Sequence, residues 1–108
     1  MLFQPRRPRR NRKSAAIRAQ VQETHLSPAQ LIYPMFLLDG TNIESEVHSL
    51  PNNFRRSLDN TLREIESCLQ LGLESFDIFP AVDERHKDKI GSYSWAEDNF
   101  YLHALRTI

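Results

Sequence analysis

Residues 31–38 read Leu-Ile-Tyr-Pro-Met-Phe-Leu-Leu, eight apolar positions with no alternation. A strand with one wetted face alternates polar and apolar residues. A strand covered on both faces reads as a continuous apolar run, the mark of a parallel sheet. Pro34 opposes a central place in that sheet because it donates no ladder hydrogen bond, and an edge position or a bulge would reconcile it. The next regular signal is helical. Leu58, Leu62, Ile65 and Leu69 fall at i, i+4, i+7 and i+11, one stripe of a 3.6-residue period. Ser57 stands where an N-cap belongs, Asp59 complements the dipole in the first turn, and Gly72 fits a C′ position. The spacing therefore predicts a strand over 31–38 and a helix over 58–71.

A second short strand follows over 75–79, then a polar loop over 83–94. A second helix is predicted over 96–108, with Phe100, Leu102, Ala104, Leu105 and Ile108 as its apolar positions. Strands alternating with helices of this length imply βαβ units and a parallel sheet. Two such units are about a quarter of a (β/α)8 barrel of about 250 residues. The expected fold class is thus α/β: an N-terminal arm over 1–30, then an incomplete barrel over 31–108. Within the arm, residues 1–13 read as extended, and Ser14 caps a short helix to about Gln22. That helix is too short to stand alone and must dock on something. Residues 41–56 read as a long irregular connection, a kind of loop uncommon unless functional.

The net charge of zero conceals an asymmetry. Residues 1–13 carry Arg6, Arg7, Arg9, Arg10, Arg12 and Lys13 with no acid, and the remainder carries eight basic and fourteen acidic residues. A basic arm beside an acidic body points to docking on an acidic surface, its own or a neighbour's. Nucleic acid is the weaker reading, since no aromatic residue interleaves the arginines after Phe3 to stack on bases. No run reaches the ~18 apolar residues of a membrane span. The start lacks the apolar core of a secretory signal, although an Arg-rich, acid-free start also fits a mitochondrial transit peptide. The lone Cys68 excludes an internal disulfide and a cysteine-based zinc cluster, and a reducing, cytoplasmic setting is the simplest expectation.

Few residues invite chemistry. His25, His48, His86 and His103 lack metal-ligand spacing, and Cys68 reads as a buried structural thiol. Lys87 and Lys89 follow the second strand, on what would be the active-site face of a barrel. A Schiff-base lysine must be desolvated, however, and these two stand in the hydrated stretch Asp83-Glu84-Arg85-His86-Lys87-Asp88-Lys89. Asp77 is odd inside a short apolar strand. It would point into a polar barrel interior or cap a loop.

One ordered series of segments says more: Arg-Pro-Arg-Arg at 7–10, Glu-Thr-His-Leu-Ser-Pro at 23–28, Leu-Ile-Tyr-Pro-Met-Phe at 31–36, Ser-Leu-Pro at 49–51, Phe-Pro at 79–80, Lys87-Asp88 and Gly91-Ser92. Its order and spacing resemble the N-terminal third of the porphobilinogen synthase (5-aminolevulinate dehydratase) family. Departures in loops are Asn52 and Asn99, where the family usually has glycine, and Tyr93-Ser94, where it usually has an acidic residue and alanine; Asp77, in the second strand, stands where it usually has an apolar residue.

The resemblance implies a (β/α)8 barrel whose arm wraps a neighbouring subunit, a homo-octamer, and condensation of two 5-aminolevulinate molecules to porphobilinogen through two lysine Schiff bases. It implies zinc or magnesium as the metal. The family's catalytic lysines and metal ligands lie on later strands, so no catalytic, cofactor or metal residue carries over. Arg7, Arg9 and Arg10 match the arm motif and are implied to make subunit contacts. The expectation is an N-terminal piece of such an enzyme, inactive alone. The alternatives are a non-catalytic interaction protein that docks on full-length subunits, or a basic-armed nucleic-acid binder.

Overall fold

The computed structural model describes residues 8–108. Its centre is a four-stranded mixed sheet built from β1 (Ile32–Leu37), β2 (Glu44–Glu46), β3 (Phe54–Arg56) and β4 (Ser75–Pro80), in the order β2-β3-β1-β4. β1 runs parallel to β4 along its whole length, from Ile32 opposite Ser75 to Leu37 opposite Pro80. The crossover between them contains α2 (Leu58–Gln70). α1 (Ala15–Gln20) precedes the sheet and α3 (Phe100–Thr107) follows it.

Three expectations need correction. Residues 41–56 are not irregular: β2 and β3 form an antiparallel hairpin there, with Glu44 opposite Arg56 and Glu46 opposite Phe54. The second helix begins at Phe100 rather than 96, because Ser92–Trp95 closes into a 3-10 turn and Asn99 becomes the cap. The arm is not extended throughout, since Arg9–Arg12 forms a 3-10 turn. That turn is extended by the Arg18 guanidinium, which donates to the Arg12 carbonyl at 3.0 Å.

Pro34 lies inside the sheet, with β3 on one side of its strand and β4 on the other, and strand parity explains how. The Leu38 N–H donates to the Arg56 carbonyl on β3, whereas the Leu37 carbonyl accepts from Ala81, just past β4. Even-numbered residues of β1 thus turn their backbone groups toward β3. β3 pairs only with Phe36 and Leu37. Pro34 therefore faces a gap below the end of β3, where no donor is required.

The two faces of the sheet differ. Tyr33, Met35 and Leu37 lie beside Phe76, Ile78 and Pro80 on one face, and Met35 and Leu37 are buried there. α2 covers this face with Thr61 and Ile65 as its buried positions. Leu69, expected on the buried stripe, is half exposed instead. Tyr101 of α3 ties in by donating its hydroxyl to the Ile78 carbonyl at 2.8 Å. The opposite face carries Ile32, Pro34 and Phe36 beside Ser75, Asp77 and Phe79. The Phe36 and Phe79 rings meet there at 6.0 Å.

Local signals set the helix ends. Ser14 accepts the Ile17 N–H at 3.2 Å and so caps α1. At the end of α2, Gly72 adopts φ +83°, and the N–H groups of Gly72 and Leu73 donate back to the Leu69 and Cys68 carbonyls. This is the paired C-terminal arrangement that a left-handed glycine permits. Ser57 starts α2 differently from expectation. Its side chain caps no helical N–H, but is fully buried and binds the preceding loop.

The core is small. Among the apolar residues described, Met35, Leu37, Ile65 and Ala104 are buried, while Leu26, Ile32, Leu71, Ile90 and Trp95 are largely exposed. The radius of gyration is 22.3 Å, against about 13 Å for a compact domain of this length. The described part of the arm projects from the sheet with nearly all its residues exposed.

Candidate functional site

The chain leaves β1 through Leu38 and Asp39, and β4 through Ala81 and Val82. Because the two strands are parallel, these exits lie at one end of the sheet. The loop that follows β4, and the start of α3, fold over that end and enclose an open cleft of about 1050 Å³. Arg55 of β3 and Tyr101 of α3 contribute to its wall.

The loop over the cleft is organised by Asp88. Its carboxylate accepts from the Ile90 N–H at 3.1 Å, from the Ser92 N–H at 2.9 Å and from the Ser92 hydroxyl. The Ser92 hydroxyl bond, followed by the backbone bonds, holds the Asp88 carboxyl below its ordinary value. Gly91 inside the loop sits at φ +65°, the left-handed region. The His86 imidazole stacks on Tyr93 at 4.3 Å and 18°. The Asn99 amide donates to the Tyr93 carbonyl at 2.7 Å, and its oxygen accepts the Tyr101 and Leu102 N–H groups that open α3.

The two loop lysines are exposed. Lys87 pairs with Glu84 and lies at the cleft, and Arg85 leans toward Asp83 at 3.9 Å. Neither lysine occupies a desolvated position. No three His, Cys, Asp or Glu side chains converge as a metal site among the described residues. Cys68 is half-buried rather than buried, and burial pushes its thiol up, away from the reactive thiolate. Asp77 lies exposed on the sheet face away from α2. Arg9 and Arg10 are exposed on the arm, and Arg7 lies outside the described residues. Among the described residues, Arg9, Arg10, the two loop lysines and Asp77 are therefore not gathered into one centre.

A polar cluster that the sequence reading missed lies on the covered face. Arg56 donates to Glu44 at 2.7 Å and approaches Glu64 at 3.9 Å, and its guanidinium lies 5.0 Å from the centre of the Phe54 ring. Tyr33 donates to the other Glu64 oxygen at 3.1 Å. Burial pulls the Arg56 guanidinium down, but the bond to Glu44 and the charge of Glu64 outweigh it and hold the group above its ordinary value. Burial, and then Glu64, raise the Tyr33 hydroxyl. The chain Tyr33–Glu64–Arg56–Glu44 ties β1, α2, β3 and β2 together. The alternating acids of Glu44-Ser45-Glu46, set against Phe54-Arg55-Arg56, were the available signal.

Parallel strands joined through a helix, with a loop-built cleft at their carboxyl ends, define the α/β class and are consistent with part of a (β/α)8 barrel. The chain belongs to the delta-aminolevulinic acid dehydratase family, whose family model matches residues 5–108. It is 50% identical over 103 residues to the delta-aminolevulinic acid dehydratase of Chlamydia pneumoniae, a match covering 95% of this chain and 31% of that protein. With the Bradyrhizobium diazoefficiens dehydratase it shares 37% identity over 102 residues, covering 94% of this chain and 29% of that protein. The crystal structure of the Toxoplasma gondii delta-aminolevulinic acid dehydratase (porphobilinogen synthase), in complex with the reaction product porphobilinogen, superposes with a TM-score of 0.85 at 34% identity. That likeness covers 99% of this chain and 30% of the Toxoplasma chain. The chain thus spans about three-tenths of the length of these relatives.

Proposed function

We propose that these residues are the arm and the first two strand–helix units of a porphobilinogen synthase, the enzyme that condenses two 5-aminolevulinate molecules to porphobilinogen. The observation that carries this reading is the family match over residues 5–108, joined to the fold shared with the Toxoplasma protein solved in complex with porphobilinogen. The role of the chain is scaffold and subunit contact. Its three lysines, Lys13, Lys87 and Lys89, are all exposed. A Schiff-base lysine needs a desolvated pocket, and in this reading the two that form Schiff bases stand on later strands of the enzyme. The zinc or magnesium that the family implies finds no ligand set among the described residues, and no step is assigned through it.

Within this reading the Asp88 loop and the Asn99 cap shape one wall of the active-site cleft. The projecting arm, with Arg7, Arg9 and Arg10, docks on a neighbouring subunit of a homo-octamer in the cytoplasm. Support for the docking comes from the exposure of Arg9 and Arg10 and the acidic excess of the remaining sequence.

The test is an assay for porphobilinogen. The purified 108-residue chain is expected to form none, and the same chain joined to the remaining barrel of the Chlamydia relative is expected to form it. Product from the 108 residues alone overturns the scaffold role, and none from the joined protein overturns the family activity. Replacing Arg7, Arg9 and Arg10 by alanine is expected to shift the joined protein to smaller assemblies in sedimentation.

The projecting arm also favours a second reading, a non-catalytic protein that docks on full-length subunits. Co-purification of the 108-residue chain with an intact synthase, lost in the triple alanine variant, would establish it.

A further inference from the structure

The sheet face away from α2 carries two charges that nothing described neutralises. The pairing of Arg55 with Phe36, and of Phe36 with Phe79, sets these three residues in one row across β3, β1 and β4. Asp77 lies one row below, beside Pro34. Apart from Ser75 and Ser45 the rest of the face is apolar, with Ile32 67% and Phe79 44% exposed. Strand spacing and rise put the Cα atoms of Arg55 and Asp77 about 12 Å apart, and the two side chains make no salt bridge with each other. Neither makes a salt bridge among the described residues, whereas the adjacent Arg56, on the opposite face, is paired with two carboxylates.

An exposed apolar sheet face of this kind is a surface awaiting a cover. Covering it removes water from both charges. A lone carboxylate or guanidinium taken out of water is costly, and only a partner of opposite charge with hydrogen bonds offsets that cost. The cover is therefore constrained in chemistry as well as shape.

We infer that this face receives the remaining strands of the barrel, and that they bring a cationic side chain to Asp77 and a carboxylate to Arg55. The inference rests on the reading of the preceding subsection. The Toxoplasma chain extends well beyond the 30% matched here, so a protein of that kind has the length to supply the cover. The two charges act as a key. Their order on the face, base toward the cleft and acid toward the strand starts, fixes which way round the cover fits.

The complete enzyme carrying these residues provides the test. Asp77→Asn keeps the size of the side chain and removes its charge, and Arg55→Gln removes the charge while shortening the side chain. Each is expected to lower Tm by about 5 °C or more, the scale set by leaving a buried partner uncompensated. Arg55→Glu is expected to lower it further than Arg55→Gln. An unchanged or raised Tm for Asp77→Asn or Arg55→Gln overturns the inference, as does an Arg55→Glu variant no less stable than Arg55→Gln. The wild-type assay separates this from the functional reading: an enzyme that makes porphobilinogen while tolerating these substitutions sinks the inference alone.

Discussion

Ser57 donates its hydroxyl to Asp59 at 2.6 Å, and Asp59 in turn accepts the Asn42 N–H with both carboxylate oxygens, at 3.0 and 3.1 Å. The same serine oxygen accepts the Ile43 N–H at 2.9 Å. The loop leaving β1 is thereby fastened to the first turn of α2. Ser57 is fully buried, so Ser57→Ala strands the Ile43 N–H. The expected loss is about 1–3 kcal/mol, read by urea denaturation.

Asp59 has its carboxyl held below the ordinary value, first by Ser57 and then by the Asn42 N–H. A depressed folded value means the stabilisation is present above the unfolded value of 3.8 and is lost as pH falls through the folded one. Thermal unfolding from pH 7 to pH 3 should show wild type and Asp59→Asn converging in acid. Parallel curves would show that Asp59 is not linked to folding.

Tyr33→Phe is expected to cost about 1 kcal/mol through the lost bond to Glu64. The pH dependence has the opposite sense to that of Asp59. The Tyr33 value is raised in the fold, so its contribution is full below pH 10 and disappears as pH rises through the folded value. Wild type should lose its advantage over Tyr33→Phe in alkali, measured by Tm between pH 8 and about pH 11.

Asn52 adopts φ +65°, in the left-handed region, and donates its N–H to Glu46 at 2.9 Å. Asn52→Gly keeps that bond and removes the steric cost, so it should be neutral or stabilising. Asn52→Val should cost about 1–2 kcal/mol. Equal stability of the two variants would mean that the turn relaxes to another conformation.

Asn99→Ala removes the acceptor for two N–H groups of α3 and the donor to Tyr93. The side chain is buried at 4% exposure, and the expected cost is about 1–2 kcal/mol. Asn99→Asp should recover the cap but not the Tyr93 bond, giving an intermediate stability.

The parts of the fold legible in the sequence were those written in periodicity. The apolar run around Met35 and the stripe through Ile65 gave a strand and a helix that must pack together. The hairpin was hidden because Glu44-Ser45-Glu46 and Phe54-Arg55-Arg56 are too short and too charged to read as strands, and the cross-strand pair Arg56–Glu44 holds them instead. The start of α3 was hidden because Ser92–Trp95 is stabilised by Asp88 and Asn99, contacts set by folding rather than by spacing. Asp77 was visible as an anomaly, but only the register with Pro34 located it on the uncovered face. Asn52 and Asn99, both noted where the resembled family has glycine, have different physical standings: the first needs a left-handed backbone and the second, at φ −67°, does not.

Pro34 acts as an index mark for the hairpin. A slip of β3 by one residue would turn Arg56 away from Glu64 and onto the wrong side of the sheet. A slip of two residues toward the start of β1 would keep every side chain on its own side, but would aim the Phe54 carbonyl at the nitrogen of Pro34, which has no hydrogen to give. The ring that looked out of place in a buried strand thus leaves β3 one seat on β1.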